Sequence, residues 1–189
     1  VVWVDDRTYL NEWGVRYRIG EGGWYTEWMA GPLESAQTVA DIEAYPWPTV
    51  DDVVEPDDYA GKVAEMKAQE LFVGAGVGNP YRDSWELRGM DNLLADYVIN
   101  RDLLEAMYDR FYTLYGEICV RATRAGVDQI GVTGDFAMQD RIIMGPKLWR
   151  EVDKPRLAKL ISDCRAVNPD VFFYIHCDGT IMDVMDDLV

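Results

Sequence analysis

From Asn100 the apolar residues Leu103, Leu104, Met107, Phe111, Leu114, Ile118 and Ala122 recur at intervals of three and four. That spacing lines one side of an α-helix, so a long helix is expected, capped by Asn100 and closed by Gly126. A second helical stripe, Leu148, Val152, Leu157, Leu160, Ile161 and Cys164, starts at Pro146 and stops at Asn168-Pro169, with Pro155 expected to kink or split it. Pro56-Asp57-Asp58 opens another helix, to about Glu70, and a last one begins near Thr180. Between the helices lie short, nearly continuous apolar runs: residues 71–77, 127–133 and 171–175. Runs of this length bounded by turn formers read as buried strands. Residues 1–54 follow neither rhythm; they are rich in tryptophan and glycine and predict a small hairpin or two, for instance around Val15-Arg16-Tyr17-Arg18-Ile19. Tyr45-Pro46-Trp47-Pro48 reads as an extended connector.

Strand, helix, strand, helix, strand, helix is the order of parallel βαβ units, an α/β chain. Two architectures satisfy it: an open doubly wound sheet, or part of an eight-fold barrel, which when complete takes about 250 residues. Either places ligand-binding groups just past the C-terminal ends of the strands. The chain reads as one incomplete domain over 1–189, an aromatic-rich opening segment (1–54) followed by βα units (55–189). It starts Val1-Val2-Trp3-Val4 and stops inside an expected helix, so a fragment of a longer protein is expected.

Charge narrows the partners. Among 189 residues there are 18 Lys plus Arg against 34 Asp plus Glu, a formal net charge of −16. Such a surface repels phosphate backbones and anionic headgroups, so no nucleic acid or membrane partner is expected. Cys119, Cys164 and Cys177 form no close pair and are odd in number, which points to reduced thiols and a cytoplasmic protein.

The strand ends carry the candidate chemistry. The first gives Gly76-Val77-Gly78-Asn79-Pro80-Tyr81-Arg82, whose glycines resemble a dinucleotide loop without its GxGxxG spacing. A plain turn is the alternative to a ligand loop there, with Asn79 and Tyr81 as the side chains available to substrate. Arg88, a little further on, could hold a substrate anion through a forked pair, or make a salt bridge to a neighbouring carboxylate. The second strand leads to Asp135 and Gln139; Asp135 is placed either for substrate or proton transfer, or to cap its own turn. The third ends in Ile175-His176-Cys177-Asp178-Gly179, which holds the single histidine. In extended chain His176 and Asp178 point one way and Cys177 the other, so an imidazole and a carboxylate converge as a partial metal site or an acid–base pair.

Four stretches, in order, resemble the uroporphyrinogen decarboxylase superfamily: Asn11-Glu12-Trp13-Gly14-Val15 with Gly31-Pro32-Leu33; residues 85–94, Trp85 to Leu94; Asp135 to Gln139 with residues 145–151 and Lys154-Pro155-Arg156-Leu157; and His176-Cys177-Asp178-Gly179. The resemblance implies a partial TIM (β/α)8 barrel. It also implies one of two chemistries. One is cofactor-free decarboxylation of uroporphyrinogen or a related acidic substrate. The other is methyl transfer between a corrinoid carrier, supplied by a partner protein, and an acceptor, assisted by zinc on a His-x-Cys pair and a later cysteine. Trp85 stands where the decarboxylases have tyrosine, and Asp178 where the methyltransferases have a ligating cysteine. The reading leans to methyl transfer, with His176 and Asp178 as metal ligands, His176 and Asp135 catalytic, and Gln139, Arg88, Asn79 and Tyr81 toward substrate. A non-catalytic protein that holds a corrinoid or another small ligand is the remaining alternative.

Overall fold

The computed structural model describes residues 1–53 and 59–188. The chain forms two compact units, Val1–Pro46 with Arg82–Met107, and Trp47–Tyr81 with Tyr108–Val189.

In the first unit the opening segment folds as a four-stranded antiparallel meander, β1 (Val2–Trp3), β2 (Thr8–Leu10), β3 (Arg16–Ile19) and β4 (Thr26–Ala30). The aromatic residues explain it. Trp3 lies opposite Tyr9, Tyr9 opposite Tyr17 and Tyr17 opposite Trp28, so one ring per strand stands in a row across the sheet. Ring centroids are 5.3 Å apart for Trp3 and Tyr9 and 5.6 Å for Tyr9 and Tyr17. Such cross-strand aromatic pairs stabilise strands too short to hold by backbone pairing alone. Trp28 continues the row onto helix α4 (Pro80–Arg88): its ring meets Trp85 edge-on at 6.1 Å, and its indole N–H donates to the Glu86 carbonyl at 2.8 Å. Helices α1 (Val39–Glu43) and α5 (Met90–Asp96) complete this unit with the start of α6, and its buried residues include Val15, Leu33, Ile42, Leu87 and Leu93.

The second unit holds the βαβ rhythm. Strands β5 (Gly74–Gly78), β6 (Gln129–Thr133) and β7 (Phe172–His176) pair in parallel in the order β5-β6-β7. They are joined by α6 (Arg101–Ala125) and α7 (Pro146–Val167). Short helices α2 (Val50–Val53) and α3 (Tyr59–Ala68) precede β5, and a 3-10 turn (Met182–Val184) runs into α8 (Met185–Leu188). Ile130 and Val132 face the buried side of the sheet, and Phe111, Leu114, Cys119, Ala122, Val152, Leu160 and Cys164 are buried on α6 and α7. The predicted stripes therefore fall where expected. Gly126 ends α6 at φ +94°, a conformation that side chains resist.

Three expectations need correction. The partial barrel is the largest: the described strands form a four-stranded antiparallel sheet and a separate three-stranded parallel one, and among the described residues they form no barrel. Closure needs about eight staggered strands, whereas β5 and β7 are the edges of an open sheet; what holds is the mixture of α and β. Second, Pro155 does not split α7, which runs continuously from Pro146 to Val167. The N–H that proline lacks would have gone to the carbonyl of Glu151, an exposed residue whose backbone water can reach. Third, the first strand lies three residues later than the run 71–77 suggests, because Leu71 and Phe72 stay exposed and pairing with β6 begins at Gly74. The helix expected from Pro56 to about Glu70 is seen over Tyr59–Ala68; its opening Pro56-Asp57-Asp58 lies outside the described residues.

The start of β6 is pinned by Asp128. Its carboxylate accepts from the Lys67 ammonium and from the Val73 amide at 2.8 Å, and these two bonds, the lysine's being the larger effect, hold its pKa below the ordinary carboxylate value. A depressed folded pKa contributes stability above the unfolded value of about 3.9, and that contribution disappears as pH falls through the folded pKa. Unfolding midpoints measured from neutral pH down to acid should therefore decline more shallowly below about pH 4 in Asp128→Asn than in the parent protein. Parallel profiles would show that the pair contributes nothing.

Candidate metal centre at the strand ends

Strands β6 and β7 run parallel in register, Thr133 beside His176, so the loops that leave them emerge side by side. Three hydrogen bonds tie the two loops together. The Gly134 amide donates to the His176 carbonyl at 3.3 Å, the Asp178 amide to Asp135 Oδ1 at 2.7 Å, and the Thr180 amide to the Met138 carbonyl at 2.8 Å. Gly179 lies beneath the second loop so closely that a Cβ there would stand 2.1 Å from the Ala137 oxygen and 2.6 Å from that of Met138. Only glycine allows this approach.

The result is a cluster of three donors. One ligand atom each from Asp135, His176 and Asp178 lies within 4.8 Å of the others, and His176 Nε2 stands 3.4 Å from Asp178 Oδ1. The His176 side chain is 43% exposed and that of Asp178 81% exposed, so the donors open to solvent. Tyr174, two residues back on the same face of β7, stacks on the imidazole with centroids 6.4 Å apart and planes 26° apart, which restrains the ring. An imidazole and two carboxylates suit a divalent cation. They do not reproduce a zinc–thiolate set: among the described residues the cluster contains no thiol. Cys119 and Cys164 are buried, on α6 and α7, and the hydrogen bond between them together with burial pushes the Cys119 thiol up.

Other residues singled out from the sequence are placed as follows. Gln139 sits on the exposed loop between Ala137 and Ile142, which bridge one another. Asn79 is buried, and its Oδ1 accepts from the Tyr81 amide at 2.9 Å, opening α4. Tyr81 is fully buried, its Oη has no hydrogen-bond partner among the described residues, and burial pushes its pKa up to about 12 with a further increment from Asp153. Arg82 pairs with Glu86 at 3.2 Å, one turn along α4. Arg88 is buried: Nε donates to Asp96 Oδ2 at 2.8 Å, and Nη1 to the Leu33 and Glu34 carbonyls at 2.9 Å each. Its guanidinium is thus committed inside the first unit. The sequence reading gave Gly179 and Tyr174 no role; an Asp-Gly pair directly after a strand was the available signal for the first.

Among the described residues no helix is long and apolar enough to cross a membrane. No protein-family model matches the chain, and no curated protein matches it. Among solved structures it is similar to a methyltransferase from Methanosarcina mazei, at a TM-score of 0.63 and 18% identity over 93% of this chain. The match spans 50% of that protein, so the chain corresponds to about half its length. At this identity the likeness is one of fold.

Proposed function

We propose that the chain is part of a methyl-transfer enzyme of the uroporphyrinogen decarboxylase superfamily, acting in the cytoplasm between a corrinoid carrier held by a partner protein and a small acceptor. The observation that carries the reading is the meeting of Asp135, His176 and Asp178 at the C-terminal ends of adjacent parallel strands, where α/β folds bind their ligands. The fold likeness to a methyltransferase supports it, as do the four sequence stretches named above. His176 and Asp178 would hold a divalent cation, with Asp135 beside them. Such a cation lowers the pKa of a bound acceptor, so that its conjugate base is present near neutral pH.

The protein's own groups supply the rest. Tyr174 stacks on the imidazole and the Asp178 carboxylate stands 3.4 Å from its Nε2. The Asp178 amide occupies Asp135 Oδ1 and leaves the other carboxylate oxygen free for a cation or for the acceptor's proton. Gln139, on the neighbouring exposed loop, can donate to an acceptor oxygen or accept from an acceptor N–H.

The test is transfer from methylcobalamin to a small thiol, followed by the spectral change as the cobalt–carbon bond breaks, its electron pair stays on cobalt, and the S–CH3 bond forms. The thiol proton passes to buffer. His176→Ala should reduce the rate about 100-fold or more while the circular dichroism stays unchanged. Undiminished transfer in that variant would remove His176 from the site, and no transfer by the parent protein to any of a panel of thiols would overturn the reading.

A further inference from the structure

Resting on that reading, we infer that the strand-end site is a three-donor, oxygen-rich cation site in which Asp135 is a ligand alongside His176 and Asp178, and that its preference for thiophilic metals is weaker than that of a site with a thiolate in the place of Asp178. The donor set itself argues for this. Two carboxylates and one imidazole converge within 4.8 Å, and hard oxygen donors favour Mn2+, Fe2+, Co2+ or Mg2+ relative to what thiolates would choose. Asp178 takes the place at which a thiolate would otherwise stand beside His176. Cys177, the nearest thiol in the chain, lies between the two ligands and belongs to neither the donor cluster nor its hydrogen bonds.

Asp135 is committed by geometry. Its Oδ1 accepts the Asp178 amide at 2.7 Å, which fixes the carboxylate plane and leaves Oδ2 as the cation's donor. The same bond holds the Asp178 backbone beside the Asp135 carboxylate, as supporting hydrogen bonds do in known metal sites. The three donors stand at the end of β7 and on the two loops beside it, and the exposure of His176 and Asp178 leaves them open to water or acceptor. The net charge of −16 adds a long-range field that concentrates cations over anions. The inherent order of divalent affinities still ranks Zn2+ above Mn2+ at any such site, so the selectivity appears as the ratio of the two affinities and as its change when a thiolate is restored.

Mn2+ is the probe, because the six-line electron paramagnetic resonance signal of the free ion disappears on binding. One Mn2+ per chain should bind the parent protein. His176→Ala and Asp135→Asn should each weaken it about 10- to 100-fold; the asparagine keeps the oxygen that receives the Asp178 amide, so its loss reports ligation and not loop collapse. Asp178→Cys should raise the Zn2+-to-Mn2+ affinity ratio at least about tenfold. Undetectable Mn2+ binding at millimolar metal, binding that ignores Asp135→Asn, or a ratio unchanged by Asp178→Cys would each overturn the inference. The two proposals fail separately. Methyl transfer that depends on His176 without Mn2+ binding sinks the oxygen-rich site and keeps the enzyme, whereas Mn2+ binding as described without methyl transfer keeps the site and sinks the enzyme.

Discussion

Asp96→Ala should lower the unfolding free energy by about 3–5 kcal/mol, read as a shift of the urea midpoint. The Arg88 and Asp96 side chains are 4% and 1% exposed, so removing the carboxylate leaves a guanidinium charge buried with carbonyls alone. The loss extends beyond one pair. Asp96 also accepts from Asn100 Nδ2 at 2.9 Å, and Arg88 satisfies the carbonyls of Leu33 and Glu34 ahead of α1. Arg88→Met should destabilise the protein comparably, because the Asp96 carboxylate is then buried without its charged partner. The double variant Arg88→Met with Asp96→Leu should recover part of the loss, because no uncompensated charge then remains and the Leu33 and Glu34 carbonyls still accept from the Ala36 amide and Asn92 Nδ2. A midpoint unmoved by Asp96→Ala would mean that water reaches the pair in solution. In that event the arginine would be free to serve a substrate anion after all.

The second large effect is expected from Gly179→Ala. The added carbon would lie 2.1 Å from the oxygen and 2.3 Å from the carbonyl carbon of Ala137, a distance no side-chain rotation relieves, since every neighbour involved is backbone. The 177–180 loop must move away from the 135–138 loop. That movement breaks the bonds from the Asp178 amide to Asp135 and from the Thr180 amide to Met138. Stability should fall by about 1–3 kcal/mol, the usual cost of overpacking. Cation affinity should fall about 10- to 100-fold although no ligand is touched. Calorimetric titration of the variant, performed below its unfolding temperature, separates the two. Retained affinity in a destabilised variant would show that the cluster does not depend on the loop contact.

The long-range order of the second unit was legible because its signals are local and strong. The α6 stripe repeats over a helix of 25 residues, and β6 is preceded by a helix-ending glycine whose φ is +94°. The opening sheet was only half legible. Its strands are two to five residues long and none of their residues is fully buried, so alternation is faint. The row Trp3, Tyr9, Tyr17, Trp28 becomes visible only once the register is known. Arg88 illustrates the other limit. Its position after a glycine-rich strand end suggested an anion ligand, but its actual partner, Asp96, lies eight residues on, a separation set by the turn at Gly89 between two helices.

His176 with Asp178 was available from alternation along a strand, since that pairing depends on the chain's own period. That Asp135 joins them depends on β6 lying beside β7, in parallel and in register, and residues 43 apart in sequence leave no local trace of such a contact. The amino-acid sequence alone thus determined the helices, the parallel strands, the acidic surface and the chemical types at the strand ends, because each follows from neighbouring residues and their spacing. Tertiary structure alone decided that the strands form an open sheet, that Arg88 is buried against Asp96, and that a glycine at 179 lets two loops close into one cluster of donors. Those outcomes depend on distances between segments remote in the chain, which packing sets and periodicity does not encode.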